Sequence, residues 1–298
     1  MRGTGRGRAV LRRLPRHPGA LCGLAMLLVL AALAFVGPYV CPWSHTDVDY
    51  TALRRPPGAR HWMGTNRIGQ DVFAQAVWGL RKSLLIGLLV ALFATALAAA
   101  VGACAGYLGG WTDRVLMFVV DLMLVLPAFL VLVVLAPRLR KWGWLALVVV
   151  LALLGWMVTA RTVRALTLSL KERQFVVVAE LMGVRPARII WRHILPHTAS
   201  FLITDATVAV AGAVISETGL SYFGFGVQPP DVSLGTLIAD GTDVALVYPW
   251  MFFFPAGLLI AFVLAVNLLG NALREALDPA AVRTSSVPSH AAAPGISG

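Results

Sequence analysis

For most of the chain the apolar positions neither alternate nor recur at helical spacing. They run on unbroken, and the polar positions are gathered between the runs. Residues 17–46 contain no Asp, Glu, Lys or Arg, which predicts a membrane span over 18–40; about 20 apolar residues are enough to cross the hydrocarbon core. Residues 83–112 are also free of charge and predict a span over 84–107, with Gly109-Gly110 as the turn after it. The run over 115–136 is interrupted only by Asp121 and the run over 142–160 not at all, with Arg138, Arg140 and Lys141 between them. Two more spans are predicted at 197–216, with Asp205 inside it and Glu217 at its end, and at 250–273.

Between the fourth and fifth runs the pattern changes. Residues 161–196 mix seven basic residues with Leu and Val at helical intervals and end in Leu195-Pro196. Such a segment is too polar to cross a bilayer and too apolar for a solvated linker, so it belongs at an interface or against a partner. Residues 219–249 are rich in Gly and Pro and too long for a tight turn, which predicts a partly buried or re-entrant loop. The small, polar residues of 282–298 predict a disordered tail, leaving 18–281 as one transmembrane domain behind a basic segment, 1–17.

Six spans put both termini on one side. With that side cytoplasmic, the inner segments hold 16 of the 25 basic residues and the outer segments, 41–82 and 217–249 among them, hold 9; the positive-inside rule therefore sets both termini in the cytoplasm. The first apolar run exceeds the roughly 7–15 residues of a signal-peptide core and no small-residue cleavage site follows it, so it is expected to be retained.

Composition agrees with this pattern. The 298 residues are 58% hydrophobic and 13% charged, with a mean hydropathy of +0.79, against about 45–50% and 25% for soluble domains. Soluble, disordered, coiled-coil and disulfide-scaffold classes are excluded. The net charge of +11 sits in short runs beside the spans, as membrane anchors do, without the aromatic-interleaved basic face that nucleic acid requires. Cys22, Cys41 and Cys104 have neither CxxC spacing nor a His partner, so no metal site is expected and the three read as packing thiols.

The chain offers little catalytic chemistry. It has no HExxH zinc motif, no GxSxG elbow and no intramembrane Ser/His pair. The only Lys-Ser pair, Lys82-Ser83, follows Arg81 where a phosphate-binding loop needs glycine, so any ATP used here is bound by another chain. No cofactor is expected. Asp121 and Asp205, acids inside apolar runs, are candidates for structural pairing first and for cargo or proton contact second.

The most specific signal is Ala179-Glu180-Leu181-Met182-Gly183, nine residues, then His193-Ile194-Leu195-Pro196. Phe175, Val178, Ala179 and Met182 recur at i, i+3, i+4 and i+7, predicting a short amphipathic helix, and Gly183 permits the positive-φ turn that ends it. This segment resembles the EAA loop of ABC importer permeases. The likeness extends over most of the chain: His61-Trp62-Met63-Gly64-Thr65-Asn66 with Gly69-Gln70-Asp71-Val72, Gly106-Tyr107 with Gly109-Gly110-Trp111, 217–230 and Ala276-Leu277-Asp278-Pro279 are similar to landmarks of the dipeptide and oligopeptide permeases of C-subunit type.

The resemblance implies an all-α integral membrane fold: six transmembrane helices of the type I importer permease kind, with a cytoplasmic coupling helix. It implies a bacterial cell-membrane location and four kinds of neighbour: a homologous second permease, two ATP-binding cassette ATPase subunits, an extracytoplasmic peptide-binding protein and the lipid bilayer. It also implies coupling to the ATPases through Phe175, Val177, Val178, Ala179, Glu180, Met182, Gly183, His193, Leu195 and Pro196. One departure stands out, since the family's first glutamate falls on Val177. His61, Trp62, Gly64, Thr65, Gly69 and Asp71 are expected to form an outer element that gates the path or receives the binding protein. Asp205, Glu217 and Asn267 are candidates for the path itself. A nickel or other small-solute importer is the near alternative. A proton-coupled carrier is the distant one, disfavoured because the pattern suggests no inverted repeat and no pair of broken helices.

Overall fold

The computed structural model describes residues 18–277; the basic segment 1–17 and the expected tail 282–298 lie outside the described residues. The described chain is built of helices: α1 (Pro18–Val40), α2 (Val72–Leu108), α3 (Gly110–Val125), α4 (Ala128–Leu139), α5 (Gly143–Gly155), α6 (Met157–Lys171), α7 (Gln174–Leu181), α8 (Pro186–Ile189), α9 (Leu195–Tyr222), α10 (Leu234–Thr242) and α11 (Trp250–Leu277), with a π-helical turn over Ile190–Ile194 between α8 and α9.

Four helical stretches are long and apolar enough to cross a membrane, and two bent pairs, α3 with α4 and α5 with α6, bring the number to as many as six. The predicted spans 18–40, 197–216 and 250–273 lie on α1, α9 and α11. The predicted 84–107 lies within α2, which starts three turns earlier because Asp71 caps it, its Oδ1 accepting from the Ala74 amide at 2.8 Å. At 37 residues α2 is about 55 Å long. Arg81 and Lys82, which suggested a later start, are accommodated inside the helix: the Arg81 guanidinium lies 5.3 Å from the Phe35 and Trp78 rings, and Lys82 pairs with Asp231 at 2.7 Å.

The predicted 115–136 and 142–160 are where the expectation of unbroken helices fails. α3 and α4 meet at 79°, and α5 and α6 at 45°. Pro127 cannot donate to the preceding turn and holds Leu126 extended, at φ −71° and ψ 124°. The second bend lies at Trp156, between α5 and α6. Two broken helices are therefore present, contrary to the sequence-based expectation.

α2 is the column around which the rest packs. A Cβ on Gly87 would lie 2.7 Å from the Val214 side chain of α9, and one on Gly102 would lie 2.4 Å from the Ala160 carbonyl of α6. Without side chains at these points the backbones approach closely, which is how helices associate where lipid supplies no hydrophobic drive. At one end of α2, Ala103 and Tyr107 pack with Val163, Val176, Ala179 and Ile189; at the other lies the segment that precedes it, residues 41–71. The loop region 219–249 folds back as α10, whose Leu234 is fully buried against α1, α2, α9 and α11.

Candidate functional site

α7 is eight residues long and held by Val176 and Ala179, both buried. Its other apolar side chains, Phe175, Val177, Val178 and Leu181, are exposed, as is Met182 just after it, Leu181 by 83% and Met182 by 76%. The predicted stripe is thus confirmed in part: Phe175, Val178 and Met182 share the outward face, while Ala179 turns inward beside Val176. Gly183 has φ +73°, and its amide donates to the Glu180 carbonyl at 2.9 Å while the Val184 amide donates to the Ala179 carbonyl at 3.1 Å. These two bonds close the helix in a Schellman turn. Glu180 lies beside the Tyr107 hydroxyl of α2, so its carboxylate faces this chain.

Behind the stub, Phe175 stacks on His197 at 4.7 Å and lies 6.4 Å from His193. His197 Nδ1 is 2.6 Å from the His193 carbonyl. Leu195 packs with Ile189, Ile190 and Ile194, and Pro196 opens α9. The candidate coupling residues therefore form one body, with an apolar knob projecting from it. A contiguous exposed apolar patch of this kind marks an interaction surface.

The six candidate residues of the outer segment also come together. His61 Nδ1 is 2.8 Å from Asp71 Oδ2, and both residues are buried. Asp49, which sequence reasoning missed, joins them: its Oδ1 accepts from the Thr51 amide and hydroxyl, and its Oδ2 lies 3.6 Å from His61 Nε2 and from Arg60. The Thr51 hydrogen bonds hold the Asp49 carboxyl below its ordinary range. Thr65 Oγ1 donates to the Ala52 carbonyl at 2.5 Å, and the Trp250 indole of α11 donates to the Thr65 carbonyl at 3.2 Å. Gly64 and Gly69 have φ of +75° and +87°, and a Cβ on Gly69 would sit 2.3 Å from the Asp49 carbonyl oxygen. The segment is a tightly tied cap. Trp62 stands on its surface, half exposed, edge-on to Phe73 at 4.9 Å.

The candidate path residues are dispersed. Asp205 accepts from Thr159 at 2.8 Å, tying α9 to α6, and Asn267 donates into its own helix, to the Val263 carbonyl at 2.9 Å. Glu217 is fully buried; its Oε1 accepts from Ser221 at 2.6 Å and from Ser233 at 2.7 Å, clasping the start of α10 to α9. Ser83 of α2 adds a third tie by accepting from the Leu234 amide at 3.1 Å. Asp121 pairs with Arg161, and Asp113 pairs with Arg164 through two bonds of 2.5 and 2.6 Å, so α3 is stapled to α6. The pairing of Asp121 with an arginine was legible in the sequence; the Asp113 pair was not.

A cavity of about 620 Å³ opens beneath the cap that precedes α2, among α2, α9, α10 and α11, with Arg67, Gln70, Gln75, Tyr222, Asp240 and Met251 in its lining. It leaves no local trace in the chain, because its walls come from segments up to about 200 residues apart.

Residues 98–283 match the family described as binding-protein-dependent transport system inner membrane component, and residues 5–57 match the N-terminal TM domain of oligopeptide transport permease C. The oligopeptide transport system permease protein OppC of Mycobacterium bovis is 50% identical over 272 residues, which is 91% of this chain and 94% of that protein. A putative peptide permease protein of Brucella suis is 38% identical over 90% of this chain and 89% of its own length. OppC of Bacillus subtilis is 31% identical over 87% and 85%. Among solved structures, the inward-facing MetNI methionine ABC transporter aligns with a TM-score of 0.54 and 20% identity, over 68% of this chain and 96% of that one; at that identity the likeness is one of fold. With an apolar knob at one end of a type I importer permease fold and a tied cap at the other, the chain belongs to the inner-membrane permeases of binding-protein-dependent transport systems, in the group that includes oligopeptide permease C.

Proposed function

We propose that this chain is the C-type permease of an ATP-driven importer of oligopeptides, with α7 and the turn at Gly183 seated in a groove of an ATPase subunit. Family membership makes it a transport subunit and not an enzyme: the importer comprises a partner permease, ATPases on separate subunits and a binding protein. The finer assembly proposed here has a homologous second permease, two ATP-binding cassette subunits and an extracytoplasmic peptide-binding protein that meets the cap over 60–71. Both termini lie in the cytoplasm, with 41–82 and 217–249 outside.

The observation that carries the coupling role is the exposed apolar face of α7. Val178, Leu181 and Met182 project from a stub too short to be stable as an isolated helix, held to the chain by buried Val176 and Ala179 and by the Phe175 ring on His197. A helix presented in this way fits a groove as a knob fits a socket. The peptide cargo is supported by the names and extent of the relatives. The staple between α3 and α6, together with the clasp at Glu217, offers rigid levers through which closure of the ATPases reaches the bundle.

Co-purification tests the reading. The chain extracted in detergent should carry a second permease and ATP-binding cassette subunits with it, and the assembly should hydrolyse ATP faster when peptide-loaded binding protein is added. A chain that purifies alone and catalyses peptide uptake without ATPases would overturn it.

A further inference from the structure

We propose that the cavity beneath the outer cap is a reception site for the two charged termini of a short peptide, held between Arg67 on one wall and Asp240 and Asp243 on the other. This rests on the peptide-import reading and deepens it, by assigning a cargo site within this chain on the side where the cap lies.

The cavity has the size and character of a small-ligand site. Pockets for such ligands run to about 300–1,000 Å³ and combine apolar walls with a few converging polar groups. An extended chain of two or three residues spans about 7–10 Å. Here Val72, Leu237 and Met251 supply apolar wall, and methionine adapts to varied side chains. The polar groups are of both signs. Arg67 reaches from the cap across the mouth, its guanidinium 3.5 Å from the Asp240 carbonyl and 4.0 Å from the Asp243 carboxylate. A zwitterionic peptide brings a carboxylate for the first and an ammonium for the second.

The resting arrangement is easily exchanged. The Arg67 side chain is 44% exposed and that of Asp243 84%, and their separation is at the outer limit of an ion pair, so their mutual attraction is weak. An incoming peptide replaces that one pair with two contacts, its carboxylate on Arg67 and its ammonium between Asp240 and Asp243. Gln70 provides a third point of attachment. Its Oε1 accepts from Asn66 Nδ2 at 2.9 Å and from Gln75 Nε2 at 2.7 Å, which fixes the side chain while its own Nε2 stays outside these bonds as a donor for a peptide carbonyl.

The walls are also pre-organised. Asn66 Oδ1 accepts from the Ile68 and Gln70 amides and so fixes the turn that carries Arg67. The start of α10, the helix that bears Asp240, is clasped by Glu217 and Ser83. A site whose polar groups are held by their neighbours loses little freedom when it binds.

The test uses the assembled importer in nanodiscs, with Cys22, Cys41 and Cys104 replaced by serine and Ala239, a lining residue, changed by Ala239→Cys. The rate of modification by a small water-soluble methanethiosulfonate is measured with no peptide, with the dipeptide alanyl-alanine, and with its N-acetylated, C-amidated counterpart. Alanyl-alanine should slow the reaction and the doubly capped peptide should not. Arg67→Gln and Asp243→Asn should each raise the concentration giving half protection by about tenfold, the worth of a charge-assisted contact. Three outcomes overturn the site: no modification of Cys at position 239 in the assembly, equal protection by both peptides, or protection unchanged in the Arg67 and Asp243 variants. Uptake by proteoliposomes made from the same purified assembly separates the two readings. Protection without any peptide uptake keeps the site and removes the import function, whereas uptake without protection does the reverse.

Discussion

A valine at position 183 attacks the α7 stub, the proposed coupling element, through its backbone alone. Gly183 has φ +73°, and no heavy atom lies within 4 Å of where a Cβ would stand. Steric crowding therefore adds nothing, and the cost of Gly183→Val is conformational, about 1–3 kcal/mol for a β-branched residue held in the left-handed region. If the turn flips to relieve that strain, the hydrogen bonds from the Gly183 and Val184 amides are lost instead, at about 0.5–1.5 kcal/mol each. Little resists either course. α7 is anchored by two buried side chains, Val176 and Ala179, and by the Phe175 ring on His197, the larger of the buried pair worth about 1.5–3 kcal/mol. The stub should lose its orientation while the rest of the chain inserts and assembles normally. In nanodisc-embedded importer, ATP hydrolysis stimulated by peptide-loaded binding protein should fall about tenfold, which corresponds to 1.4 kcal/mol. Gly183→Asn should remain within about twofold, because asparagine tolerates this conformation. Full stimulation in the valine variant, or an asparagine variant as impaired as valine, would refute the reasoning from φ.

Val177→Glu restores the acid of the family pattern on an exposed position of α7, so affinity for the ATPase subunits in a pull-down should hold or rise; a clear loss would mean that the socket is apolar at that point. Trp62→Ala removes a half-exposed ring from the cap and should reduce uptake while assembly with the ATPases persists; normal uptake at normal expression would exclude a docking or gating role for this ring. Asp49 has its carboxyl held below the ordinary 3.8 by Thr51, so its contribution to the cap is complete above that pH and is lost as pH falls through the lowered value. The protection factor of the Thr51 amide, its exchange measured against an unstructured peptide at the same pH, should hold down to about pH 4 and fall below it, whereas protection unchanged well below that pH would remove the carboxylate's role.

What the sequence disclosed follows from how each signal is encoded. Gly183 was legible because a positive-φ turn after a short apolar stripe has a one-residue signature. The inward turn of Ala179 was not, since a stripe gives a face but not which edge of it the neighbours cover, and here Val176 shares the burial. Hydropathy located the apolar runs but could not bend them. The break at Leu126-Pro127 had a strong local cue in the proline, whereas the bend at Trp156 had only the weaker one of Gly155 beside it. α2 began earlier than its charges suggested because Arg81 and Lys82 find ring and carboxylate partners within the bundle. The clasp at Glu217 and the cavity beneath the cap join residues far apart in the chain, and no local pattern reports such a meeting.

The central claim is that this chain serves ATP-driven peptide import, and uptake by the reconstituted assembly tests it most directly. Proteoliposomes containing both permeases and the ATPases, with ATP enclosed and binding protein outside, should accumulate a radiolabelled oligopeptide. Accumulation should stop when either ATP or the binding protein is omitted and should continue when the proton gradient is collapsed. Uptake driven by a proton gradient without ATP, or ATP-driven uptake of nickel with none of peptide, would contradict the account.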